Sequence, residues 1–92
     1  MGTPEIIKTF TLPSGKTAAV RKAFGRDVRK ARVMANSQPE MFAPALASVL
    51  MTIDEKPFAM EEMDDMDMED YLIIEFEISE LFPNFQTPKR SS

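Results

Sequence analysis

Neither histidine nor cysteine occurs among the 92 residues of the chain. Histidine is the side chain that most often acts as a general base near neutral pH. Cysteine supplies thiolate nucleophiles, disulfides and many structural zinc ligands. No glycine-rich phosphate-binding motif is present either. We therefore expect a protein that is not an enzyme and that uses no cofactor and no metal.

Long hydrophobic runs are also missing. No apolar stretch approaches the roughly 20 residues that span a bilayer. The first residues do not combine a basic segment with an apolar one, as a signal peptide does. We expect no membrane partner and a cytoplasmic location. Hydrophobic residues make up 43% of the chain and charged residues 28%, a composition typical of one ordinary globular domain.

The charge is divided unevenly along the chain. Residues 1–36 contain eight lysines and arginines against two acids, a local charge of +6. Residues 37–92 contain three against thirteen acids, a local charge of −10. Such a division indicates a protein that meets other molecules, or further copies of itself, through charged surfaces. It does not identify the partner.

The first element that the sequence predicts is a β-hairpin. Threonine and phenylalanine are enriched over residues 6–12, and residues 17–21 return as a second strand. Between them, residues 13–16 (PSGK) supply the proline and glycine of a tight turn. A lone hairpin is marginal in water, so this one must pack on the rest of the chain.

Two helices are predicted next. Val28, Ala31 and Ala35 recur at helical spacing and predict a helix over residues 26–36, which ends before Pro39. A turn is predicted over residues 54–57. Between Pro39 and that turn, a broad apolar face predicts the central core helix, and its members are Met41, Phe42, Ala45, Leu46, Val49, Leu50 and Ile53.

The acidic half of the chain predicts two more helices. Methionines and acids alternate over residues 58–67, which indicates a short helix. Residues 74–78 alternate strictly, as in a strand, but the wider apolar spacing over residues 67–81 fits a helix. The length of that segment favours the helix. Asp67 would cap it, with Glu69 and Asp70 in its first turn, and Pro83 would end it.

Together these elements predict an α+β fold in which an N-terminal β-hairpin packs on a small bundle of about three helices. The domain is expected to span residues 1–85, with a flexible C-terminal tail over residues 86–92.

Two charged segments are candidate binding sites. The acidic run at residues 64–70 fails the calcium-loop pattern, because Asp70 stands where that loop needs glycine and Phe76 where it needs glutamate. The basic stretch at residues 21–32 has enough cations to neutralise several phosphates. It has only one aromatic residue, and the acidic half would repel a polyanion. The cations of this basic patch are Arg21, Lys22, Arg26, Arg29, Lys30 and Arg32.

The eight methionines are many for a chain of this length. Methionine suits irregular cores and adaptable binding surfaces alike, so the cluster that begins at Met60 has both interpretations. The two phenylalanines around Pro83 and Asn84 are either a plug over the core or a docking edge. The residues that we predict to contact a partner are Met60, Met63, Met66, Phe82 and Phe85.

Several segments, taken in order, carry a family resemblance over roughly residues 5–82. They are residues 9–16 (TFTLPSGK), 25–29 (GRDVR), 52–57 (TIDEKP), 63–66 (MDDM), 70–71 (DY) and 72–76 (LIIEF). In this order the chain resembles the small tail assembly chaperones of contractile-tailed bacteriophages and Mu-like prophages. Its methionines stand where such proteins more often have leucine.

The resemblance implies a non-enzymatic role in virion morphogenesis. Such chaperones bind the long tape measure protein before the tail tube polymerises around it. They keep it soluble, help to recruit tail tube subunits and are not expected in the mature virion. A small domain with an adaptable apolar groove would shield a helical partner in the helix-in-groove manner, and an acidic rim would keep the complex soluble.

Two other functions stay open at this point. One is a small nucleic-acid-associated protein that uses the basic patch, although nucleic acid is the less favoured partner. The other is an adaptor that self-associates through its opposite charges. The oligomeric state is left open.

Overall fold

The computed structural model describes residues 5–82. Three predictions concern residues outside this range. They are the helix stop at Pro83, the partner contact of Phe85 and the flexible tail over residues 86–92. Two short 3₁₀ segments, Pro39–Met41 and Met60–Asp65, accompany the main elements. In chain order these are β1 (Ile6–Thr11), β2 (Thr17–Arg21), α1 (Gly25–Ala35), α2 (Phe42–Leu50), β3 (Met51–Ile53) and α3 (Met68–Leu81).

The three strands form an antiparallel sheet in the order β1-β2-β3. One face is apolar, because Ala18 and Val20 of β2 are fully buried there beside their β3 partners Ile53 and Met51. This face contacts α2. Since side chains alternate along a strand, the other face carries the intervening, more exposed residues Thr9, Thr11, Thr17, Ala19 and Thr52.

The α2 helix is the centre of the fold. Its nine residues include no charge, and α1, α3 and the sheet all pack against it. Its residues Ala45, Leu46, Ala47 and Leu50 are buried. A helix that is enclosed on several sides needs no polar face, because little of its surface meets water. The flanking helices α1 and α3 both carry exposed charged residues.

Two polar contacts hold α3 along the hairpin. The carboxylate of Asp70 accepts hydrogen bonds from the Ser14 backbone N–H at 3.1 Å and from its hydroxyl at 2.6 Å. Further along α3, Glu77 Oε1 lies 2.8 Å from the Lys8 Nζ. Because the start of α3 contacts the turn after β1 and its later part contacts β1 itself, the helix runs antiparallel to that strand.

The predicted α+β architecture is confirmed, including the hairpin and a helix rather than a strand over residues 72–78. The predicted turn at residues 13–16 also forms, with Gly15 at φ 99° and its N–H bonded to the Leu12 carbonyl at 2.8 Å. Asp67 stands at the N-cap position of α3, as predicted, although its side chain makes no capping hydrogen bond.

Two predictions need correction. The central helix ends at Leu50, and Ile53 belongs to β3 rather than to that helix. Its backbone pairs with Ala18 of β2, so sheet pairing replaces the next helical turn. The short helix predicted over residues 58–67 is a 3₁₀ helix limited to Met60–Asp65.

A two-residue turn reverses the chain after β3. Ile53 and Lys56 exchange backbone hydrogen bonds of 2.9 and 3.0 Å across Asp54 and Glu55, which have φ values of 52° and 69°. Both central residues are left-handed, as in a type I′ turn, which normally uses glycine or asparagine. Asp54 stabilises the turn, because its Oδ1 accepts a hydrogen bond from the Thr17 N–H at 3.0 Å. Glu55 is exposed and has no such contact.

We predict that Glu55→Gly stabilises the protein by about 0.5–1 kcal/mol. Relief of the left-handed strain, about 1–2 kcal/mol for a residue with a Cβ, exceeds the added entropy of glycine in the unfolded chain. A thermal melt should show a midpoint a few degrees above that of the parent protein.

The matched control is Lys56→Gly, one residue later, where φ is not positive. There glycine adds only unfolded-state entropy, so the melting midpoint should fall. Equal shifts of both variants in the same direction would contradict the strain argument.

Candidate partner-binding surface

The outward side of α3 carries a row of exposed apolar side chains. Met68, Leu72 and Phe76 are 72%, 52% and 56% exposed. Their i, i+4, i+8 spacing places them above one another on one side of the helix, over roughly 12 Å. We call these three residues the exposed row.

The opposite side of the same helix is already fully packed. Ile74 and Ile78 have no exposed surface and belong to the core, and Asp70 is buried against the hairpin turn. Leu72 and Ile74 lie about 200° apart around a helix of 3.6 residues per turn. The helix is thus apolar on two opposite sides, of which residues 5–82 cover one.

An open groove of about 690 Å³ lies next to this helix. It runs between the end of α1, the start of α2 and α3, from which Glu75 and Ser79 contribute. Residues 68, 72, 75 and 79 follow the i, i+4, i+7, i+11 spacing of one helical face. The α3 wall of the groove and part of the exposed row therefore share that face. Other residues that line it include Arg32, Ala35, Pro39, Glu40, Phe42 and Ala43.

The exposed row is bordered by acids. Glu69, Glu75 and Glu80 lie three or four residues from Leu72 or Phe76, the spacing of neighbours on a helix surface. We call these three residues the acidic rim. No lysine or arginine occurs in α3, and among the salt bridges within residues 5–82 only that of Glu77 involves this helix. Within residues 5–82, no salt bridge neutralises the acidic rim around this apolar row.

Tyr71 lies at the edge of this surface. Partial burial raises the pKa of its phenol, and the nearby Glu75 and Asp64 carboxylates raise that pKa further.

The predicted methionine contacts lie elsewhere. The 3₁₀ helix Met60–Asp65 packs against α2, and Met63 is only 2% exposed. Its predicted role as a surface contact is therefore corrected to that of a core residue. Met60, Met66 and Phe82 are half-buried against the core, and their contact with a partner stays a prediction. None of these four residues lines the groove.

The basic patch is divided by the fold. Arg21 donates to both carboxylate oxygens of Asp27, at 2.8 and 3.0 Å, and to the backbone carbonyls of Lys22 and Val49. Asp27 is buried and also accepts the Phe24 N–H at 2.9 Å. The prediction that Arg21 belongs to a binding surface is thus corrected, because its guanidinium is used inside the fold.

The other five cations of the patch are exposed. Arg26, Arg29 and Lys30 share one side of α1, whereas Arg32 borders the groove. Phe24 is 44% exposed just before this helix. The Arg26 guanidinium carbon lies 4.8 Å from its ring centre and the Lys22 Nζ 5.6 Å, distances typical of cation–π contacts.

The apolar pattern of residues 72–76 already indicated the exposed row, but the acidic residues of the same segment drew attention to charge instead. Leu72, Ile74 and Phe76 alternate with other apolar or acidic residues, so a helix over this segment must be apolar on both sides. A helix that is apolar all round is normally buried all round. Here no element among residues 5–82 covers the second side.

Comparison with known proteins finds no match among family models, curated sequences or solved structures. In the part of the chain that the structure describes, no helix is long and apolar enough to cross a membrane. Within the same residues, no three acidic side chains lie close enough together to hold a metal ion.

We predict that Asp27→Asn destabilises the protein by about 2–4 kcal/mol, because it leaves the Arg21 guanidinium without its charged partner in a largely buried place. The matched control is Asp65→Asn, an exposed acid in the 3₁₀ helix, for which the free energy of unfolding should change by no more than about 0.5 kcal/mol. Urea denaturation of both variants measures the difference.

The same pair predicts a pH dependence. Arg21 and the Phe24 N–H hold the pKa of Asp27 below the ordinary value of 3.8. The carboxylate therefore stabilises the fold above that value, and this contribution is lost as the pH falls through the lowered pKa. The gap in unfolding free energy between the parent and Asp27→Asn should narrow between about pH 5 and about pH 2. A constant gap over that range would contradict the assignment.

Proposed function

We propose that this protein is a non-enzymatic tail assembly chaperone, which binds the tape measure protein and keeps it soluble before the tail tube forms. The observation that carries the proposal is the exposed row on α3. A domain that leaves Met68, Leu72 and Phe76 in solvent while Ile74 and Ile78 on the opposite side of α3 are buried has a surface suited to an apolar partner.

The groove supports the same proposal. A tape measure is long and helical, and an amphipathic helix binds through apolar side chains at i, i+3, i+4 and i+7 in a hydrophobic groove. The groove is lined by the end of α1, by residues 37–40 of the connection to α2, by the start of α2 and by one side of α3. The apolar lining residues Ala35, Pro39, Phe42 and Ala43 can contact the apolar stripe of such a helix.

The size of the exposed row limits the affinity. A fully buried methionine, leucine or phenylalanine contributes about 1.5–3 kcal/mol, and part of each of these three side chains is already covered. Association itself costs several kcal/mol, so a single contact should have a Kd of roughly micromolar to millimolar. Weak single contacts suit a chaperone that must leave when tube subunits cover the tape measure.

We predict that co-expression with the tape measure protein of the same phage or prophage makes the tape measure soluble and that the two proteins co-purify. Leu72→Ser with Phe76→Ser should abolish both effects, because it removes two of the three apolar side chains from the exposed row. Circular dichroism should show an unchanged fold, since both residues are on the surface. The readouts are the soluble fraction and the eluted complex.

Val33→Ser is the matched control, since Val33 is an apolar α1 residue that is 79% exposed and lies outside the groove lining. It should leave solubilisation intact. A tape measure that stays insoluble when co-expressed with the parent protein would contradict the proposal. Loss of solubilisation with Val33→Ser, but not with the α3 changes, would place the contact on α1.

The second candidate function is contact with nucleic acid through the α1 surface. The observation in its favour is the exposed side that combines Arg26, Arg29 and Lys30 with the ring of Phe24. Cations neutralise phosphates, and an exposed ring offers a stacking platform for a base.

Under this second function, a labelled DNA duplex or RNA strand should bind at low salt, with a logarithmic fall in affinity as salt rises. Arg29→Glu with Lys30→Glu should abolish binding, whereas Glu61→Lys with Glu62→Lys should not weaken it. Fluorescence anisotropy that shows no binding at low salt would exclude this function.

A further inference from the structure

We propose that the surface formed by the exposed row and the acidic rim selects one class of helix, namely an amphipathic helix whose apolar stripe is bordered by lysines or arginines. This inference rests on the proposed function and specifies the segment of the partner that would be bound. The geometry of α3 and the distribution of charge around it carry the argument.

The first step concerns the shape of the surface. Met68, Leu72 and Phe76 form a straight row over two helical turns, and the groove next to it opens between α1 and α3. A helix laid along this row meets the apolar side chains with one stripe of its own. The occupant therefore needs about three helical turns and apolar residues at i, i+4 and i+7 or i+8.

The second step concerns the charge. Glu69 and Glu80 are exposed at the two ends of the exposed row, and Glu75 stands on the wall of the groove. The salt bridges within residues 5–82 leave all three without a cationic partner. Arg32 also lines the groove, but Glu40 and Glu75 line it too, so a bound helix meets more negative than positive charge along its borders. Lysine or arginine beside its apolar stripe pairs with these carboxylates, whereas glutamate there faces like charge.

The third step excludes a second copy of α3 as the occupant. Two α3 helices packed through their exposed rows would bring acidic rims face to face, with no lysine or arginine on either helix to compensate. Like charges across an interface oppose association. The partner must therefore bring the positive charge, and α3 does not supply it.

The test uses three synthetic peptides of about 20 residues. The first has a leucine stripe bordered by lysines, the second the same stripe bordered by glutamates, and the third is the scrambled lysine peptide. Fluorescence anisotropy should show that the parent protein binds the first peptide at least tenfold more tightly than the second or the third. The scrambled peptide controls for non-specific attraction to a chain of net charge −4.

Charge reversal on the protein gives the sharper comparison. Glu69→Lys with Glu80→Lys should reverse the preference in favour of the glutamate peptide. Glu61→Lys with Glu62→Lys changes the net charge equally but lies on the 3₁₀ helix, so it should keep the parent preference. Addition of Leu72→Ser should weaken the binding of the lysine peptide to the parent protein. It should equally weaken the binding of the glutamate peptide to the variant with Glu69→Lys and Glu80→Lys.

Three results would overturn the inference. These are equal binding of the ordered and scrambled lysine peptides, reversal of preference by the Glu61 and Glu62 changes, and a concentration-dependent dimer in sedimentation equilibrium that Leu72→Ser dissolves. The peptides contain no tape measure sequence. Peptide selectivity without tape measure solubilisation would therefore reject the proposed function alone, and solubilisation without selectivity would reject this inference alone.

Discussion

The ion pair between Arg21 and Asp27 is the constraint on which the arrangement of sheet and helices depends. It joins the last residue of β2 to the first turn of α1, and the same guanidinium reaches the Val49 carbonyl in α2. Asp27 also accepts the Phe24 N–H, so one carboxylate both begins a helix and fixes that helix against the sheet. Because breaking such a pair leaves a buried charge uncompensated, α1 has one favourable position, and its remaining cations point outward.

With α1 fixed in this way, α2 becomes an enclosed, uncharged centre, and the two flanking helices share the surface unequally. α1 presents cations and little apolar area, with Val33 the large exposed apolar side chain within it. α3 presents acids and three large apolar side chains. The hairpin covers the inner side of α3 through Ser14 and Lys8, but no element among residues 5–82 covers its outer side. The separation of charge along the sequence thus becomes a separation of surfaces with different chemistry.

Local signals in the sequence were sufficient for the hairpin, for α1 and for the choice of helix over strand in α3, because turn residues, apolar spacing and length act within a few residues. The β3 strand was missed because its three residues continue the apolar run of α2, and only pairing with β2 makes them extended. The role of Met63 depends on α2, which is distant in sequence. Arg21 pairs with Asp27, six residues along, and also with the distant Val49 carbonyl, and its spacing alone did not distinguish it from the exposed cations of the basic patch. The apolar pattern of α3 did indicate two apolar sides, but which side would be covered depends on where the hairpin packs.

An exposed apolar row promotes self-association of a small protein unless another feature opposes contact between identical copies. Here the row is short, and the carboxylates around it repel the α3 helix of a second copy, which would otherwise be the simplest partner. The same carboxylates favour any helix that brings cations beside an apolar stripe, so the feature that protects solubility also selects the partner. On the proposed function, occupancy along a tape measure depends on the number of copies rather than on the strength of each contact. Weak single contacts then let each copy dissociate as tube subunits arrive.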